Sequence, residues 1–236
     1  MAGLSDINRR EQKRAAGRVS NADRKEVWLR DGDQVFLRSV ATGEDGDPML
    51  EELYLFAVQT DSGSWQTGLV DPETGKPMGD IVPPEDRRPS HKFAFWSYVS
   101  DIIHAERHRD DWEEIQSASG GRTAYRETVN DFRIITLPFG RNNQYWNMLV
   151  DQFEDWDGLH NGVLRVKRSG TGIDTTYTVS PVSRAVTIPD DRVKESTQLQ
   201  PIWDYFVEQY GGNDSTPETE TEVITSTESI SETDDF

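Results

Sequence analysis

From Val27 onward the chain is cut by Gly, Pro, Asp and Asn into short runs whose apolar side chains recur at every second position. A strand turns successive side chains to opposite faces, so each such run has one face for a core and a second face free for other work. The runs EVWLR and QVFLRSV flank Asp31-Gly32-Asp33, a turn signature that predicts a hairpin. Further strands are predicted in LEELYLFAVQT (50–60), KFAFWSYV (92–99), NDFRIITLP (130–138), GVLRVKRS (162–169) and TTYTVSPV (175–182). The stretch 61–90, with Asp71-Pro72, Pro83-Pro84 and Pro89, reads as a loop-rich insertion. Many short strands with irregular links predict a mainly β fold with a few helices (α+β), a small barrel or a sandwich.

Helical periodicity is confined to three places. RNNQYWNMLVDQFEDW (141–156) spaces Trp146, Leu149, Val150 and Phe153 along one face, behind an N-cap candidate at Asn142 or Asn143. At 199–210, Ile202, Trp203, Phe206, Val207 and Tyr210 share a face that predicts a helix docked on the barrel, stopped by Gly211-Gly212. The segment 100–116 reads as a third, exposed helix.

A net charge of −18 over 236 residues looks unsuited to a polyanionic partner, but the charge is unevenly placed. Residues 1–25 carry seven Lys/Arg against three Asp/Glu, whereas 213–236 carry eight acids and no base. The first segment reads as a flexible basic arm with Arg9, Arg10, Lys13, Arg14 and Arg18, the last as an acidic disordered tail, too poor in apolar residues to offset the entropy of ordering. Between them, 26–212 is the expected folded core, itself acidic with 18 bases and 32 acids, so a nucleic-acid site must be a local basic face. There is no cysteine, which suits a reducing compartment, and no apolar run approaches the roughly 20 residues needed to span a bilayer. A soluble, unexported cytoplasmic protein with no membrane partner is expected.

The strongest chemical pattern lies where arginines alternate with apolar and aromatic residues. In VLRVKRS, Arg165 and Lys167 share one strand face and Leu164 and Val166 the other. Arg122, Arg126, Arg133, Arg168 and Arg184 are candidates to extend a phosphate-binding groove, with Tyr125, Tyr177, Trp96 and Tyr98 as stacking residues. KFAFWSYV is apolar on both faces, so it is either a central strand covered on both sides or a stacking platform. An acidic tail tethered beside a basic groove would act as an intramolecular DNA mimic, and its end, Asp234-Asp235-Phe236, is a compact docking peptide for partners.

LRDGDQVFLRSV near the start, a later helix, and then LRVKRSGTGIDTTYTVSP (164–181) resemble the pattern of phage single-stranded DNA-binding proteins related to the T-even helix-destabilising protein. The likeness covers about half the chain. It implies an OB-fold-like barrel core and sequence-independent binding of single-stranded DNA during phage replication, recombination and repair in the infected bacterial cell. It further implies self-association along DNA through the basic arm and recruitment of replication and recombination proteins by the tail. Many members hold zinc in a Cys/His knuckle, which this chain has no cysteine to build. His104 and His108 are four apart but lack a signposted third ligand, so no metal and no other cofactor is expected. Gly170-Thr171-Gly172 lacks the Lys-Ser/Thr of a phosphate loop, and the paired acids read as solvated faces, so no enzymatic activity is expected. Two rival readings are a phage virion or assembly protein and an acidic DNA-mimic regulator.

Overall fold

The computed structural model describes residues 24–40, 50–59, 63, 65–84, 88–116 and 123–211. The strands are β1 (Gln34–Ser39), β2 (Glu51–Gln59), β3 (Trp65–Val70), β4 (Pro77–Met78), β5 (Ser90–His104), β6 (Glu113–Gln116), β7 (Thr123–Pro138), β8 (Leu164–Ser169) and β9 (Thr176–Pro181). The helices are α1 (Gln144–Trp156), α2 (Asp190–Ser196) and α3 (Ile202–Tyr210). The fold is thus mainly antiparallel β with a few helices.

The organising element is β5, which is longer than its apolar run suggested. Along one edge it pairs with β7 from Lys92 to His104. Its other edge is shared end to end by β2, which meets Ser90–Ala94, and β1, which meets Ser97–Ile103. From there the sheet runs outward through β3 and β4 on one side and through β8 and β9 on the other. It does not close: among the described residues β9 pairs only with β8, and β6 only with β7.

Because β5 is central, both of its faces are packed. Phe93, Phe95 and Val99 enter one core with Val35, Leu37, Ile135, Leu137, Leu164 and Val166, which α1 covers through Tyr145 and Leu149. Ala94, Trp96 and Tyr98 enter the other with Leu53, Leu55, Leu69, Phe132 and Ile134, covered by Ile202, Tyr205, Phe206 and Tyr210 of α3. Of the two alternatives for KFAFWSYV, the covered central strand is therefore the one found. α3 docks as its apolar face requires.

Three local expectations need correcting. The segment before Asp31-Gly32 does not form the first arm of a hairpin. It runs as a strap across the other end of the sheet, where Val27 N donates to Ile134 O and Ile134 N donates to Lys25 O, a parallel bridge to β7. The 61–90 insertion, expected as loop, carries two strands, since β3 and β4 extend the sheet as a meander from β2. Where a helix was expected over 100–116, residues 100–104 complete β5, with Ile102 in the α1-covered core, and 113–116 form β6, paired with β7. The expected arm up to residue 23 and the tail from 213 lie outside the described residues.

Candidate nucleic-acid interface

β1 and β8 pair in register so that Phe36 faces Arg165 and Gln34 faces Lys167, while Val35 faces Val166 and Leu37 faces Leu164. Directly opposed residues in an antiparallel ladder project from the same side of the sheet. The second set is buried in the α1-covered core. The first set stays partly exposed on the opposite side. This open face continues onto β9, where Ser180 opposes Arg165 and Thr178 opposes Lys167. It also continues onto β5, where Asp101 opposes Phe36.

On that surface Phe36 sits among cations. The Arg184 guanidinium lies over its ring at 4.9 Å from the centroid, a cation–π contact. Arg184 is held there by Asp101, whose Oδ1 accepts from Nη2 at 2.7 Å. Arg165 donates to Ser180 Oγ at 3.2 Å, and Arg38, two residues along β1 from Phe36, donates to His160 O at 2.7 Å. Arg38, Arg165 and Lys167 have no carboxylate partner among the described residues. Of these four cations only Arg184 is paired with a carboxylate, the buried Asp101, among the described residues. An adjoining open groove of about 370 Å³ is lined by Arg38, Gly162, Val182 and Arg184.

The other expected site residues are dispersed. Arg126 borders the open face but is committed to Glu113 at 3.0 Å and Asp101 at 3.6 Å. Arg133 pairs with Asp131 at 3.4 Å and donates to Arg24 O. Arg168 projects to the opposite side from Arg165 and donates to Leu29 O at 2.6 Å, fastening the strap. Tyr177 is on that side as well, edge-on to Tyr145, and Tyr125 leans on His108. Trp96 and Tyr98 cannot serve as stacking residues in this arrangement: they are 6% and 3% exposed, and the Trp96 indole N–H is spent on Gln200 O. Arg122 of the groove, Arg9, Arg10, Lys13, Arg14 and Arg18 of the arm, and Asp234, Asp235 and Phe236 of the tail lie outside the described residues.

Phe36 and Arg38 were not singled out from sequence, although the signal was present. In QVFLRS the core phase is Val35 and Leu37, so an aromatic at Phe36 stands out of phase with the core.

A second polar constellation, also missed, ties the strap's turn to the far end of β5. Asp33, 1% exposed, accepts from Arg30 N, Ala105 N and Arg107 Nη2 and contacts His104 Nδ1. The other ring nitrogen of His104 is 2.7 Å from Glu127 Oε2, and Trp112 stacks on the ring at 3.9 Å. Burial opposes charging either group. These hydrogen bonds outweigh it, bringing the Asp33 carboxyl down to about 2 and holding His104 above its ordinary value. No group of three or more His, Cys, Asp or Glu among the described residues could hold a metal ion.

No protein-family model, curated protein or solved structure matches the chain. No helix among the described residues is long and apolar enough to cross a membrane.

Proposed function

We propose that the chain binds single-stranded DNA without sequence preference across the open face of β1, β8 and β9. The observation that carries this reading is the partly exposed Phe36 ring with Arg184 over it, Arg165 directly opposite, and Arg38 and Lys167 nearby on β1 and β8. A flexible single strand offers unpaired bases and regularly spaced phosphates. The ring is a platform for one base, whatever its identity, and the cations flank it where successive phosphates would pass. The same surface offers little to a duplex, whose bases are already stacked on one another.

The finer fold expected from the resemblance, an OB-like barrel, is part of the same proposal, with the 24–31 strap standing between β7 and β8 in place of a closing strand pair. The basic arm would mediate self-association along DNA. The acidic tail would compete for the open face and recruit replication and recombination proteins. Phage DNA replication, recombination and repair is the setting proposed from the resemblance.

The test is a titration of fluorescently labelled oligo(dT) against the full chain and its Phe36→Ala variant. Loss of one stacking platform is expected to weaken binding by about 1–3 kcal/mol, roughly 5- to 150-fold, with unchanged thermal stability. An absence of binding by the unaltered chain, or equal binding by the variant, would overturn the proposal.

A further inference from the structure

Beneath the strap lies a cavity of about 310 Å³ that reaches residues of both sides of the sheet, Val35 and Val166 from one core and Leu55 and Phe206 from the other. Lys92 from β5 and Arg168 from β8 both border it, and its walls include Val35, Leu137 and Val166. Among the described residues neither cation has an anionic partner. Arg168 donates to two neutral oxygens, Leu29 O and Thr175 Oγ1. Lys92 makes no ion pair with any described residue. Glu26 also borders the space, but its two oxygens accept from the hydroxyls of Tyr205 and Tyr210 and are committed to α3.

Placing an ammonium group in such surroundings without a counter-ion is costly. Burial, together with the nearby Arg168 charge, pushes the Lys92 pKa below its ordinary value. A fold that only needed to fill this space would be served as well by an apolar side chain. Two cations facing an apolar-walled cavity, at the small end of the range for ligand sites, instead match a molecule with an anionic head and an apolar body.

We infer that this cavity is a binding site for a small organic carboxylate with an apolar body, its carboxylate held between Lys92 and Arg168 and its hydrocarbon part against Val35, Leu137 and Val166. A carboxylate suits the pair because its two oxygens can each accept from one cation. None of Phe36, Arg38, Arg165, Lys167 and Arg184 lines this cavity, so the inference stands independently of the DNA reading.

Calorimetric titration of the full chain with octanoate and with 1-octanol tests the inference, since the two differ mainly in the head group. Octanoate is expected to bind at least tenfold more tightly than the alcohol. Lys92→Met keeps an unbranched side chain, removes the unpaired charge and is expected to fold at least as stably. It should abolish the preference for the acid. Arg168→Gln provides a second variant and should reduce the preference, while Arg184→Gln on the open face should leave it intact. Absence of octanoate binding, equal binding of acid and alcohol, or an undiminished preference in Lys92→Met would each overturn the inference.

Discussion

The two sides of the β1–β8 ladder are made from alternate residues of the same two short strands, yet they meet different environments. One side, with Val35, Leu37, Leu164 and Val166, is sealed beneath α1. The other, with Phe36, Arg38, Arg165 and Lys167, has no helix over it among the described residues, because α3 packs against β2, β3 and β5 instead. A period of two therefore separates folding from recognition at single-residue spacing. A change at one position should act on stability, and a change at the next on binding.

The largest expected effect comes from breaking the sealed side. Leu164 is wholly buried, and Leu164→Ala should cost roughly 2–5 kcal/mol in chemical denaturation through lost burial and the cavity left behind. The same truncation made at Lys167 should move stability by less than about 0.5 kcal/mol. Comparable losses at both positions would erase the distinction.

A smaller effect is expected from pH, through the cluster that fixes the turn leading into β1. With the Asp33 carboxyl held down to about 2, its contribution is complete above its ordinary value and drains as pH falls towards 2, amounting to about 2 kcal/mol. His104 has the opposite sign: its raised pKa stabilises the fold below its ordinary value of 6.5, and that contribution is lost as pH rises through the folded-state value. Stability should therefore be highest between about 4 and 6.5 and decline on both sides. Denaturation midpoints measured from pH 2 to 9 would show this, and His104→Gln should flatten the alkaline decline. A decline that persists in the variant would assign it to other groups.

The smallest effect sharpens the comparison within one strand. Arg168 lies three residues after Arg165 but on the opposite side, so Arg168→Gln should leave oligo(dT) affinity within about twofold while Arg165→Gln lowers it several-fold. Equal losses would mean that the strand's overall charge matters and its facing does not.

Much of this arrangement was legible in sequence because it rests on local periodicity. The alternation in GVLRVKRS placed Leu164 and Val166 inside and Arg165 and Lys167 outside, and the spacing of Ile202, Phe206 and Tyr210 placed the face of α3. What was not legible depended on partners distant in sequence. Val27 could not show that its backbone would pair with Ile134 rather than turn back on β1. Trp96 and Tyr98 could not show which elements cover them, since the apolar layer above is supplied by residues from Val186 to Tyr210. The carboxylates that claim Arg126 were equally hidden, because strand register alone brings Glu113 and Asp101 to it, whereas Asp131, two residues from Arg133 on the same strand, was in view. Phe36 was visible but required the core phase of β1 to be fixed first.

The most direct test of the open face as a polyphosphate surface is the salt dependence of oligo(dT) binding by the full chain and by Arg165→Glu/Lys167→Glu. Each phosphate contact to a single strand contributes roughly 0.7 to the slope of log affinity against log salt, so the double variant should bind more weakly with a slope shallower by about 1.4. An unchanged slope, or binding by the unaltered chain that does not respond to salt, would contradict the account.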